Sequence, residues 1–216
     1  MDAKMKGMIM SGMMALSLIL GAMAIFSNEW LTDTDDDDDS VTNYGLNTME
    51  GISKAETADE CKMMKEFIDQ MYEDVDSYES DCDKEEFTMT IGMSDLCELM
   101  EAMEAESDEV DDCESTASAG TMGTIGMWGG VVLALVATLM MVLPMAGVDA
   151  MDAIPEMGQK VISWGAGGLM LLGMVLWYFM LPDGDSSAGM SLWMAGAAMS
   201  IALGSTLIGQ FIPADE

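Results

Sequence analysis

Four cysteines, Cys61, Cys82, Cys97 and Cys113, carry the most definite chemistry in this 216-residue chain. All four fall between Asn28 and Ala119, separated by 20, 14 and 15 residues, and none occurs elsewhere. An even number confined to one segment is the pattern of two disulfides in an oxidising compartment. A thiolate metal site is the other chemistry open to them, but these gaps lack the close cysteine pairs of zinc ribbons. Four cysteines allow three pairings, and spacing does not choose among them.

The second candidate chemistry is acidic. Asp33, Asp35, Asp37 and Asp39 alternate through the stretch DTDDDDDS and supply hard oxygen ligands of the kind calcium and magnesium take. An EF-hand reading fails, because Asp38 stands where that loop needs glycine and Tyr44 where it needs the bidentate glutamate. The expectation is a solvated acidic surface with no dedicated cofactor; weak condensation of calcium or magnesium is the lesser alternative. The third is thioether chemistry. The 28 methionines include Met5, Met8, Met10, Met13 and Met14, and thioethers bind copper(I). They are spread over every apolar stretch, however, where flexible core packing accounts for them.

What is missing narrows the function classes. The chain has no histidine and no arginine, and its net charge is −32. Nucleic-acid binding needs several cationic contacts to displace phosphate counterions. Lack of histidine removes the commonest acid–base side chain and the usual zinc ligand. A non-enzymatic protein with no nucleic-acid partner is expected. Such charge self-repels in dilute buffer, whereas the screening length falls to about 3–4 Å at roughly 0.5–1 M salt. A marine or halophilic prokaryote, an archaeon included, is the source this composition suits.

Charge and apolarity are segregated. Asn28–Ala119 holds 31 of the 39 acidic residues and four of the seven lysines. Four windows without an ionisable residue are long enough to cross the ~30 Å hydrocarbon core of a bilayer: Gly7–Phe26, Met122–Leu143, Val161–Leu181 and Met190–Ile212. Lys4, Lys6 and Lys160 flank the first and third, which by the positive-inside rule puts residues 1–6, 144–160 and 213–216 in the cytoplasm. Residues 27–119 and the short 182–189 link are then outside. The expected fold is an all-α four-helix membrane bundle with a small mixed α+β, disulfide-stapled extracellular domain between spans one and two. The first window also fits a secretory signal cleaved after Ala24, but a run of about 20 residues instead of about 7–15 favours retention.

Trp30, Trp128, Trp177, Tyr178 and Trp193 fall at the expected outer boundary and Trp164 and Phe211 at the inner one, where amphipathic rings prefer the headgroup layer. The spans carry no buried ionisable group, which argues against a pump or a proton-coupled transporter. They do carry small residues four apart, Gly126 and Gly130, Ser163 and Gly167, Ala198 and Ala202, which let helices approach closely in lipid.

Within the acidic segment, Val41–Met49 has strand character with Gly45 inside it, suggesting a bulge or close backbone approach. Thr57 and Glu60 form a capping box. Cys61, Met64, Phe67, Ile68, Met71 and Val75 then repeat at helical spacing, predicting one amphipathic helix over 58–75. Phe87–Met93 alternates as a strand. Ser94 is placed to cap a second helix with Leu96, Cys97, Met100 and Met103 on one stripe, and a polar tract over 104–118 returns to the membrane. Tying the two helices through their apolar stripes would pair Cys61 with Cys97 and Cys82 with Cys113.

This order of parts, with Trp30 directly after the first span and Gly45-Leu46 further into the loop, resembles the claudin superfamily, including its PMP22-like and calcium-channel gamma-like members. The resemblance implies four spans, both termini inside and a large disulfide-containing first extracellular loop. Asn47 stands where that family's motif continues with tryptophan, and no cysteine follows closely. The function expected is contact: lateral assembly as a homo-oligomer, adhesion, or service as accessory subunit to another integral membrane protein. The alternative is a divalent-cation-binding or ion-permeation-related protein that uses the acidic loop.

Overall fold

The computed structural model describes residues 3–35, 40–145, 147, 155–182 and 187–211. The chain folds as helices α1 (Ala3–Phe26), α2 (Ala58–Met71), α3 (Met93–Ala102), α4 (Ser107–Met145), α5 (Glu156–Met180) and α6 (Met190–Phe211). Strands β1 (Leu31–Asp35), β2 (Ser40–Tyr44), β3 (Thr48–Lys54), β4 (Glu79–Asp83), β5 (Glu86–Gly92) and β6 (Ser187–Ala188) complete it. Among the described residues, four helices are long and apolar enough to cross a membrane: α1, α4, α5 and α6.

Two compact units divide the chain. The first comprises α1, α4 from Met122 onward, α5 up to Trp177 and α6 from Trp193. Its interior is built of small residues and methionine. Met14, Met127 and Met170 are fully buried, together with Ala134, Ala137, Ala166, Ala198 and Ala202. The outward faces carry exposed leucine, valine and isoleucine such as Ile19, Leu135 and Val132.

The second unit, Ser27–Thr121 with Tyr178–Leu192, is a six-stranded antiparallel sheet in the order β4-β5-β3-β2-β1-β6 with α2, α3 and the start of α4. Its centre alternates as a half-buried strand should. Phe87 and Ile91 of β5 are buried, and Gly51 of β3 lies opposite Met89, where an added Cβ would come within 3.3 Å of that side chain. The outermost strand β4, ESDCD, alternates exposed carboxylates with half-buried Ser80 and Cys82. Charge on an unpaired edge discourages pairing with other chains.

Several elements differ from the sequence expectation. Val41–Met49 is not one strand but a hairpin, in which Tyr44 pairs with Met49 and the chain turns through Gly45–Asn47. The Gly45 N–H donates to the Thr48 carbonyl at 2.7 Å, and a Cβ there would fall 2.6 Å from Thr48 Oγ1. Helix α2 ends at Met71, so Val75 is not on it. Gly92, not Ser94, occupies the N-cap of α3, with no side-chain cap bond. The polar tract is helical from Ser107, continuous with the apolar part of α4. Asp33 and Asp35 lie in β1, opposite Thr42 and Ser40.

Candidate functional site

The most distinctive surface of the sheet-bearing unit is built on α2. The Thr57 hydroxyl accepts from the Glu60 N–H at 3.2 Å, satisfying one of the helix's orphan donors. The Glu60 carboxylate accepts from the Glu56 N–H at 3.0 Å, one residue ahead of the reciprocal bond a capping box would make. Asp59 and Glu60 in the first turn complement the helix dipole. The helix stops where the Tyr72 N–H closes on the Ile68 carbonyl and the Tyr72 ring stacks on Tyr78, centroids 4.9 Å apart.

The apolar residues of α2 divide between two faces. Cys61, Met64 and Ile68 pack with Ala55, Cys82, Phe87 and Met89. Met63, Phe67 and Met71, spaced four apart, form a second stripe that is 64%, 63% and 50% exposed. Phe67 and Met71 therefore do not belong to the buried stripe the periodicity predicted. Among the described residues the helix packs chiefly on β4 and β5, and two strands are too narrow to cover the whole apolar arc. Asp59, Glu60, Glu66 and Gln70, one turn away from these three side chains, border the stripe.

Two attachments hold this helix in place. Cys61 is bonded to Cys82 of β4. At the other end, Asp69 accepts from Lys65 Nζ at 2.8 Å, Ser80 Oγ at 2.5 Å and Tyr78 OH at 3.0 Å, while Lys65 also donates to Ser80 Oγ at 2.7 Å. The Lys65 hydrogen bond, then that of Ser80, holds the Asp69 carboxyl below its ordinary range, against a smaller desolvation effect. Partial burial, with Asp69's charge and hydrogen bond beside it, pushes the Tyr78 phenol up, although its bond with Ser80 acts the other way.

A lowered folded-state pKa means stability that is fully present above the unfolded value, near 3.9, and lost as pH falls through the lower folded value. Because the Asp69 side chain is 41% exposed, solvent screening keeps this contribution below about 1 kcal/mol. Asp69→Asn is expected to speed hydrogen exchange in peptides spanning 65–82 near neutral pH and to flatten their response to acidification. Unchanged exchange at both pH values would contradict it.

The second disulfide joins Cys97 of α3 to Cys113 of α4. It sits with Met93, Tyr44, Met49, Leu96, Met100 and Ala117, whereas Met103 is exposed. The pairing is thus Cys61–Cys82 and Cys97–Cys113, not the helix-to-helix Cys61–Cys97 arrangement. The bridges pair the first cysteine with the second and the third with the fourth, because α2 lies on β4 and the polar tract folds as helix beside α3.

Asp33 is exposed on β1, and together with burial its charge raises the Tyr44 phenol pKa, burial being the larger cause. Asp37 and Asp39 lie outside the described residues, as does the side chain of Asp35. Among the described residues, no group of three or more cysteine or acidic side chains is arranged to hold a metal ion.

Trp30 is fully buried, and its N–H donates to the carbonyl of Tyr44, the residue before Gly45-Leu46. Leu46 is buried too, and its carbonyl lies 1.5 Å from where a Cβ on Gly120 would stand. The Gly189 N–H donates to the Trp30 carbonyl at 3.0 Å, strapping the residues beside β6 onto β1. Trp30 and Trp177 are interior side chains, while Trp128, Trp193 and Tyr178 are exposed.

In the helical unit, an added Cβ on Gly126 would fall 2.4 Å from Gly173 Cα, and one on Gly130 2.7 Å from the Ala166 carbonyl oxygen. These two residues bring α4 against α5. Gly167 faces Leu203, and the Ser163 carbonyl accepts from Thr206 Oγ1 at 3.1 Å, bringing α5 against α6. Ala198 and Ala202 are fully buried, and the Ala198 carbonyl accepts from Ser17 Oγ of α1 at 2.7 Å. Sequence reasoning passed over Gly173, Gly120 and Met63. The first two are recognisable only from their partners, while Met63 stands four residues before Phe67 and was legible. No protein-family model matches the chain, and no curated protein matches it.

Proposed function

We propose that this chain is a four-span, non-enzymatic membrane protein of claudin-like arrangement, with termini inside and the acidic, disulfide-stapled domain outside. Its function is contact, and Met63–Phe67–Met71 is the contact surface. The observation that carries this reading is an apolar stripe left uncovered on a helix fastened at both ends. Covering a side chain of this size stabilises by roughly 1.5–3 kcal/mol, so three of them left open form an adhesive strip. The four apolar helices support the membrane assignment. Buried Trp30 and its backbone bond beside Gly45-Leu46 are consistent with the claudin-like loop.

The occupant is a second copy of the chain. Its stripe is equally apolar, and the acidic borders that repel in dilute buffer are screened within about 3 Å near 1 M salt. Self-association therefore strengthens with salt, the reverse of an ion-pair interface. Crosslinking and blue-native electrophoresis of membranes at about 0.1 M and 1 M salt are expected to give more dimer at the higher salt. Phe67→Glu is expected to weaken that dimer by roughly ten- to a hundredfold, while Phe67→Leu retains most of it. A monomer at every salt concentration, or a Phe67→Glu dimer equal to wild type, would sink the proposal.

A further inference from the structure

The helical unit contains a cavity of about 340 Å³ at the end where α1 and α5 begin and α4 and α6 finish. Its lining is divided chemically. Exposed Lys160 and Gln159 in the first turns of α5, with Gln210 in the last turn of α6, provide cationic and amide donors. Half-buried Met10, Met140 and Met141 provide flexible apolar wall. Close by, Lys6 Nζ donates to the carbonyl of Gly209, itself part of the lining, at 2.9 Å.

Only seven lysines occur in the whole chain, so Lys160 in the lining, with Lys6 bonded to the lining residue Gly209, concentrates scarce positive charge. Lys6 already serves the carbonyl end of α6, which leaves the Lys160 ammonium as the group for a ligand's negative charge. Thioether walls beside cationic and amide donors suit a molecule with a charged head and an apolar body. Basic recesses between spanning helices at the cytoplasmic boundary are where phospholipid headgroups are held.

We infer that this cavity is a phospholipid site, in which Lys160 and the amides of Gln159 and Gln210 receive the phosphate and Met10, Met140 and Met141 pack against the glycerol and upper acyl chain. The inference rests on the membrane reading above, since a lipid ligand presupposes helices in a bilayer. The shared chemistry is a phosphate, which a free anion could also supply. The thioether wall favours the lipid, because a hydrated phosphate gains nothing from apolar surface.

The test uses the full chain, extracted in non-ionic detergent and stripped of lipid. Native mass spectrometry would follow binding of phosphatidylglycerol, inorganic phosphate and an uncharged diacylglycerol. One phosphatidylglycerol per chain is expected, with affinity falling about tenfold in Lys160→Gln through loss of a charge-assisted bond and recovering in Lys160→Arg. Lys62→Gln, on the exposed face of α2, should bind as wild type. Equal binding by wild type and Lys160→Gln overturns the site. Equal competition by inorganic phosphate overturns the lipid assignment, and equal binding of diacylglycerol overturns the role of the phosphate. Carbonate extraction of cell membranes reads the membrane premise separately: a chain released into the soluble fraction fails there, whereas an integral chain without the lysine-dependent lipid fails only here.

Discussion

Replacing Cys97 and Cys113 together by alanine is expected to destabilise the sheet-bearing unit by about 3 kcal/mol, as removal of a cross-link closing a loop of this size does. The bridge spans 16 residues and joins α3 to the start of α4 within a cluster whose buried members, among the described residues, are Met93 and the two cysteines. Removing the cross-link frees the unfolded chain and strips sulfur from a thin core at the same time. The other bridge, across 21 residues, should matter about equally, since loop entropy grows only with the logarithm of length. Dependence is sharpened by charge: 31 acidic residues against four lysines between Asn28 and Ala119 repel one another in the folded state. Urea unfolding of the full chain in detergent, followed by protease susceptibility across 84–106, measures the loss. High salt should restore part of it by screening, and an unchanged midpoint after the double substitution would contradict the assignment.

Gly120→Ala is expected to cost about 2–3 kcal/mol although alanine is the better helix former. Intrinsic propensity favours the substitution by about 1 kcal/mol. Against that, the new methyl would stand 1.5 Å from the Leu46 carbonyl oxygen and 3.3 Å from Asn47 Oδ1. Backbone cannot rotate away as a side chain can, so either α4 or the β2–β3 turn must move by more than an ångström. The Met93 N–H donates to the Asn47 carbonyl at 2.9 Å, so displacement of that turn is transmitted to the start of α3. Faster hydrogen exchange in peptides covering 44–54 and 91–97 is the expected signature. Gly12→Ala is the control: nothing lies within 4 Å of its Cβ position, and it should be neutral or slightly stabilising. Equal behaviour of the two variants would show that the close approach at Leu46 does not govern stability.

Features decided within one turn or one segment are legible in the sequence. The four apolar segments are a matter of composition over some twenty residues; α1 and α4 contain the first two, and α5 and α6 cover the others up to Met180 and Phe211. Thr57 starts α2 because capping is decided within one turn. Two disulfides follow from four cysteines confined to one segment. Strands β1 and β4 are not legible, because TDTD and ESDCD carry the composition of solvated loops. They are strands because neighbours several residues away supply the missing hydrogen-bond partners.

The sequence by itself determined where apolar surface and charge occur, which elements are helical through their local periodicity, and that the cysteines had partners. Only the tertiary structure decided which cysteine met which, and which apolar arc of α2 was covered. Met64 and Ile68 face β4 and β5 while Met63, Phe67 and Met71 do not, because a helix seated on two strands can bury only one side of itself. Periodicity measures how wide an apolar arc is. What covers that arc is set by residues distant in the chain, and in α2 the uncovered part became the candidate contact surface.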